Sequence, residues 1–308
     1  MSPLVSIIVA AHVRTPREAE LLGETLRTVA AQTQQDYECV LVDDGSPIDL
    51  RTLADETPRT RVLRQDNAGP ASARNAGIAA SSGSYYVFLD ADDHLLPHAL
   101  EAGLSALEAH TDCGFVVGGR EEMTYEGAPV SWGVPAAPHE TQLYHTLLGF
   151  EWYIIPPSSV MFRRQVVDTI GPWRNPWGAD DLDYYLRAAH QFRGYCFDEP
   201  AVTRYRRYAS SSSRNGARML KSTRAVYARQ WPLVRGDPKS EAAWHRGLTR
   251  LTEIFRDCVA ENLRDHLEAD ELRAALTCAA LLARESPRRL FTGARRLLRS
   301  SEFRDQPA

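Results

Sequence analysis

Three carboxylates fall within four positions where an apolar run ends: Asp90, Asp92 and Asp93 in the stretch VFLDADDHLLP, residues 87–97. Like charges placed that close repel one another, and a turn needs only one aspartate. A hard divalent cation such as Mn²⁺ or Mg²⁺ would resolve the repulsion, because it takes oxygen ligands, and Mg²⁺ commonly takes one or two carboxylates together with phosphate oxygens. The same residues also suit a strand-end Asx turn that caps the helix starting near Pro97.

Three further stretches carry residues with chemical capacity. In VDDGSP (42–47), Asp44 at a strand end can accept hydrogen bonds from a base or a ribose. It equally suits a turn built on Gly45 with a helix cap at Ser46 or Asp49. In QDNAGPASARNAGIAASSG (65–83), Gly69 and Pro70 make a turn, a helix begins, and Arg74 lies on its second turn. The forked guanidinium suits a diphosphate or a base, whereas a surface arginine is the plainer reading. In WGADDLDYYLR (177–187), Asp181 stands at a helix start after the flexible Gly178 and could serve as a general base within reach of a hydroxyl. The alternative is that Asp180, Asp181 and Asp183 answer the positive end of the helix dipole. Several chemistries lose support. The chain has no G-x-S-x-G elbow, no H-E-x-x-H, no phosphate-binding P-loop and no G-x-G-x-x-G after its first strand.

The elements that must position these residues are legible in the alternation of the first 120 residues. Strand-like runs at 5–11, 37–45, 60–66, 85–93 and 114–119 alternate with helix-like segments near 17–33, 48–56, 70–81 and 96–110. Runs with few polar interruptions imply burial on both faces, as in a parallel sheet flanked by helices. Ligands of such sheets bind outside the carboxyl ends of the strands, which is where Asp44, Asp90 and the stretch AAHVR fall. Residues 125–215 are more irregular and rich in Pro, Trp and Tyr. A helical pattern resumes near Asp180, with Leu182, Leu186 and Ala189 predicting one buried face. From about residue 216 the chain reads as helical. Its segment 287–300, PRRLFTGARRLLRS, carries five arginines and fits either a basic amphipathic helix on a membrane surface or a helix packed on the main domain.

The 308 residues suit one large α/β domain with an appendage. A hydrophobic share of 44% beside 25% charged residues is an ordinary globular composition, and a net charge of −4 argues against general attraction to nucleic acid. Five scattered cysteines without a C-x-x-C pair support neither a zinc cluster nor a disulfide framework, and reduced thiols of a cytosolic protein are the simplest reading. The N-terminal PLVSIIVAAHV is too short to span a membrane and reads as a strand.

Taken together, VSIIVAAHVR, VDDGS, DNAGPASARNAGI, YVFLDADD and GADDLDYYLR resemble family 2 glycosyltransferases of the GT-A fold, over roughly residues 4–210. The resemblance implies a Rossmann-like, mostly parallel sheet flanked by helices, with a nucleotide-binding half (1–120) and an acceptor half (121–215); the helical C-terminal region (216–308) is read from the sequence pattern. Ala10, Ala11 and His12 would line a nucleotide pocket, Asp44 would bond the base, and Arg74 would help hold the nucleotide. Asp92 would contact ribose or sugar, and Asp93 or Asp92 would bind Mn²⁺ or Mg²⁺. Asp90 matches the first acidic position of the D-x-D-type motif. Asp181 matches the catalytic base, and Asp180 stands where relatives more often carry Glu. Asp90, Trp177, Gly178 and Asp180 are candidates for contact with donor sugar or acceptor; Trp132, Trp152 and Tyr153 could stack on a sugar or a lipid-linked glycan. The implied reaction is inverting transfer from a nucleotide-diphosphate sugar to a hydroxyl of a polysaccharide, glycolipid or related glycan. The cysteine reading gives a cytoplasmic location, and of the two readings of 287–300 the amphipathic one would add peripheral contact on the inner membrane face. Two departures stand out: His12 and Val13 occupy positions where many relatives have Tyr and Asn, and Tyr208 lies where many have His. A nucleotidyltransferase would share the strand-end metal site without needing Asp181, and a non-catalytic sugar-nucleotide-binding protein would share the fold. A haloacid-dehalogenase-type phosphatase places its acidic motif after the first strand, so residue 90 comes late for it.

Overall fold

The structure is a computed structural model that describes residues 2–55, 57–130, 136–174, 178–208 and 214–285. Its first third alternates strand and helix: β1 (Val5–Ala11), α1 (Pro16–Ala30), β2 (Tyr37–Asp44), α2 (Arg51–Asp55), β3 (Thr60–Gln65), α3 (Pro70–Ala80) and β4 (Tyr85–Asp90). The boundaries follow local chemistry. Thr15 caps α1 by accepting the N–H of Glu18 at 3.2 Å, and Pro16 takes the first helical position, where its missing N–H costs nothing. Gly69 supplies a φ of +90° immediately before Pro70 opens α3. The four strands pair in parallel in the order β3-β2-β1-β4.

The second part enlarges the same sheet. It comprises β5 (His94–Leu95), α4 (Ala99–Ala109), β6 (Cys113–Met123), β7 (Pro129–Val130), α5 (Tyr144–Leu148), β8 (Val160–Arg163), α6 (Arg164–Ile170), α7 (Asp180–Gln191) and β9 (Arg193–Arg206). From β4 the sheet continues through β8, β6, β9 and β5; β8 is antiparallel to β4 and β6, while β6 and β9 run parallel. Mostly parallel pairing flanked by helices agrees with the expected architecture. Three helices end the described residues: α8 (Gly216–Val234), α9 (Pro238–Glu268) and α10 (Leu272–Glu285).

Two cores lie on opposite faces of the sheet, and β1 feeds both. Its side chains alternate faces, so Ile8 packs with Phe88, Phe162, Trp173 and Tyr184 while Ile7 and Val9 pack with Leu22, Leu26 and Leu100. On the first face an aromatic stack docks α7: Trp173 lies over Tyr184 at 4.0 Å with rings nearly parallel, and Phe88 meets Trp173 edge-on at 4.9 Å.

Two expectations need correction. The run 85–93 is not one strand, because β4 stops at Asp90 and the acidic residues form the turn that follows. Helix α7 does not bury a single face: every residue from Asp183 to Ala189 is buried, while Leu182 is only half-buried. The reason is that α5, α6 and α8 all pack against it, where a two-layer reading would leave one side to solvent. Arg229 of α8 reaches across to Asp183, whose other oxygen binds Arg187. The free cysteines agree with reduced thiols. Among the described residues no helix is long and apolar enough to cross a membrane. The segment 287–300 lies outside the described residues.

Candidate active site

The order 3-2-1-4 reverses direction at β1, so the crevice between the carboxyl ends of β1 and β4 is where a ligand of an open α/β sheet binds. The register brings the expected residues to that edge. Ala10 pairs with Val42 on one side and Asp90 on the other, and Ala11 pairs with Asp43. Ala11 is buried, Ala10 half-buried, and His12 exposed at the rim. His12 Nδ1 lies 2.9 Å from the Asp44 carbonyl, which fixes the ring against β2.

Asp44 is buried and holds a loop in place. Its Oδ1 accepts the Ala68 N–H at 2.9 Å and the Gln65 amide at 2.7 Å, and its Oδ2 accepts the Gly69 N–H at 2.9 Å. Gly45 makes the tight turn behind it at φ +76°, where a Cβ would fall 2.8 Å from the backbone nitrogen of Asn67. The turn reading of VDDGS is therefore present in the fold, and Asp44 shapes the pocket wall through it.

Arg74 is no surface arginine. It is 6% exposed; Nη2 donates to Asp90 Oδ1 at 2.7 Å, Nη1 pairs with Asp180 Oδ2, and the guanidinium lies 4.5 Å from the Trp173 ring centroid. A buried cation must be paired to offset its desolvation, and here two carboxylates and an aromatic face do so. Burial pushes the Asp180 carboxyl up to about 7 even though Arg74 pulls it back. Burial raises Asp181 as well, against the Leu182 N–H that donates to its Oδ1 at 2.7 Å. A carboxylate raised toward neutrality is a better proton acceptor at working pH than an ordinary aspartate. Asp181 itself stays half-buried. It follows Gly178 at φ +144° and Ala179 at φ +50°, a left-handed residue without glycine's freedom. Helix α8 backs this bend, with Ser222 and Met219 close to Gly178.

The acidic turn is held by a residue the sequence did not single out. Arg206, at the end of β9, is fully buried. Its backbone N–H donates to Asp93 Oδ1 at 2.9 Å and its Nε to the Asp92 carbonyl at 2.8 Å. Its Nη1 reaches the Tyr125 carbonyl at 2.6 Å and its Nη2 the Glu24 carboxylate of α1 at 2.8 Å. In the run RYRRY nothing distinguishes Arg206 from Arg204 or Arg207 until the extent and facing of β9 are known. Tyr208 just beyond donates its hydroxyl to Asp92 Oδ2 at 2.6 Å.

Of the two aspartates expected at a cation, Asp93 is withdrawn. It is 1% exposed, and its Oδ2 is buried without a hydrogen-bond partner. Burial first, then the neighbouring Asp92 and Asp90, push its carboxyl well upward. Asp92 remains half-buried, and the Asp90 side chain is 35% exposed. Among the described residues no three or more His, Cys, Asp or Glu side chains converge as a ready-made metal cage. The hard oxygens of Asp90 and Asp92 fit a Mg²⁺ or Mn²⁺ ion that shares its shell with phosphate, since such an ion needs only one or two protein carboxylates.

Trp152 is half-buried against the core; Tyr153 stacks on Phe150 at 5.3 Å, with Arg120 on its ring at 5.7 Å. Trp132 and Trp177 lie outside the described residues.

The family model for glycosyl transferase family 2 matches residues 6–171. The chain belongs to glycosyltransferase family 2 and is a glycosyltransferase. It is 32% identical over 199 residues to the uncharacterized glycosyltransferase YwdF of Bacillus subtilis (strain 168), a match covering 61% of this chain and 69% of that one. It is 37% identical over 105 residues to the succinoglycan biosynthesis protein ExoW of Rhizobium meliloti (strain 1021), covering 32% of this chain and 33% of ExoW. In fold it resembles residues 1–349 of S. aureus TarS, crystallised in complex with UDP-GlcNAc, with a TM-score of 0.60 at 15% identity over 89% of this chain and 90% of that one. At that identity the likeness speaks for the GT-A fold alone.

Proposed function

We propose that this chain moves a sugar from a nucleotide-diphosphate sugar to an acceptor hydroxyl in one inverting displacement. The observation that carries the reading is the Arg74 bridge. It ties Asp90, at the edge of the acidic turn, to Asp180, which stands immediately before Asp181. A site for the leaving diphosphate and a site for proton removal are thereby fixed relative to one another. That UDP-GlcNAc occupies TarS supports a nucleotide-sugar donor for this fold.

In this reading Asp181 accepts the proton of the acceptor hydroxyl. The oxygen attacks the anomeric carbon from the face opposite the nucleoside diphosphate, the glycosidic carbon–oxygen bond to the phosphate breaks, and the configuration inverts. Asp92, with Asp90, would hold a divalent cation, which supplies positive charge opposite the departing diphosphate. Ala10, Ala11 and His12 border the nucleotide, and Asp44 keeps the facing loop in place. Arg74 acts by holding the two acidic elements together. Residues 1–120 form the nucleotide half and 121–215 the acceptor half, and the first helix after residue 215 braces the Gly178 bend.

The acceptor is a glycan or a lipid-linked glycan, a reading supported by the likeness to ExoW, a succinoglycan biosynthesis protein. We place the protein in the cytoplasm, with peripheral membrane contact through the arginine-rich segment 287–300. A thermal-shift screen of UDP-, GDP-, dTDP- and CMP-sugars with Mn²⁺ tests the donor assignment. Stabilisation by at least one nucleotide sugar is expected, and none by any of them would count against the reading.

A further inference from the structure

Asp92 is gripped from two sides by the end of β9. Arg206 Nε holds its carbonyl at 2.8 Å, and the Tyr208 hydroxyl holds its carboxylate at Oδ2, 2.6 Å away. Among the described residues, Oδ1 has no hydrogen-bond partner outside Asp92 itself. Tyr208 is itself fixed. Its ring meets Tyr125 edge-on at 5.2 Å, Arg17 covers Tyr125 at 5.4 Å, and the Tyr125 carbonyl accepts from Arg206 at 2.6 Å. A phenol on two torsions, locked by a neighbouring ring, loses little freedom when it donates, so the direction it gives the carboxylate is built in beforehand.

We propose that Tyr208 is a positioning residue for Asp92, fixing the carboxylate so that Oδ1 is offered to the divalent cation of the site proposed above, and the proposal rests on that reading of Asp92. The chemistry of the donor matters. A hydroxyl orients a carboxylate without cancelling its charge, whereas a guanidinium forked onto both oxygens of Asp92 would compete with the cation for it. Groups that hold metal ligands from behind in this way commonly set the metal affinity of a site. Tyr208 thus supplies a neutral hydrogen-bond donor to Asp92.

The test is direct Mn²⁺ binding, followed by the loss of the free-ion electron paramagnetic resonance signal in the presence of UDP. Full-length wild type, Tyr208→Phe, Asp92→Asn and the double variant are compared, with a melting temperature for each in metal-free buffer. The proposal expects Tyr208→Phe to weaken Mn²⁺ binding by about 10–100-fold while the metal-free melting temperature stays at the wild-type value. Asp92→Asn is expected to weaken binding at least as much, and the double variant no more than Asp92→Asn alone. Wild-type affinity in Tyr208→Phe, with affinity lost in Asp92→Asn, would overturn the role of the tyrosine and leave the metal reading intact. A lowered metal-free melting temperature in Tyr208→Phe, with the two effects adding in the double variant, would show a packing role instead. Unchanged affinity in Asp92→Asn would remove the metal reading of Asp92, and the role of Tyr208 with it.

Discussion

Asp90 and Asp180 share one guanidinium. Arg74 donates to Asp90 at 2.7 Å and pairs with Asp180 through its other terminal nitrogen, while Trp173 closes one face of the fork. The strand end that carries the acidic turn and the helix start that carries Asp181 are thus tied through a single buried side chain.

Removing that tie exposes how much depends on it. Arg74→Ala leaves two carboxylates facing each other without a cation and should destabilise the protein by about 3–5 kcal/mol, the usual cost of breaking a buried pair. Arg74→Lys retains the charge but not the fork, because an ammonium cannot serve two carboxylates in fixed directions. It should fold, melt a few degrees lower and turn over slowly. Chemical denaturation and steady-state kinetics check both; wild-type values for Arg74→Lys would mean that the bridge is incidental.

Asp181→Asn should lower kcat by about 10²–10⁴-fold, the range general-base catalysis contributes, while the donor dissociation constant stays unchanged. Fluorescence titration of the donor together with turnover separates the two. Loss of donor binding would make Asp181 structural.

The pH profile carries a sign. Asp181 is useful only when ionised, and burial raises its pKa from the ordinary aspartate value of 3.8. Turnover should therefore climb with pH through that raised value and level off above it, with the acid limb displaced upward from where an exposed aspartate would put it. An acid limb at the ordinary carboxylate position would contradict the assignment.

Asp183 is fully buried between Arg187 and Arg229, at 2.8 and 3.1 Å. Asp183→Ala should cost about 3–5 kcal/mol by leaving the buried Arg187 without its carboxylate, and should loosen α8 from α7. Because α8 backs Gly178, protection of amide hydrogens at 178–182 should fall in hydrogen exchange. Unchanged protection there would separate α8 from the site.

How much of this was legible in the sequence follows from what each residue touches. Where the determinant is local, the sequence spoke clearly. The short β-branched run VSIIVAA marked β1, Gly69-Pro70 marked the start of α3, and acidic residues after apolar runs marked the crevice edge. Where the determinant is a partner far along the chain, it was silent. Nothing near Arg74 shows that Asp180 will face it, and nothing in RYRRY shows that Arg206 alone will be swallowed beneath the acidic turn. The buried all-round character of α7 likewise depends on α5, α6 and α8, helices whose sequences do not say where they pack. The insertion of β8 beside β4 is equally non-local, since it places the later strand next to an earlier one in the antiparallel sense.

The central claim is that the acidic turn binds a diphosphate through a shared cation. Calorimetric titration with UDP, GDP and dTDP, in Mn²⁺ and again in EDTA, tests it most directly when run on wild type beside Asp92→Asn. The account predicts that at least one nucleotide binds wild type about tenfold or more tightly with Mn²⁺, and that Asp92→Asn loses this gain. Equal binding in Mn²⁺ and EDTA, for every nucleotide that binds at all, would contradict it.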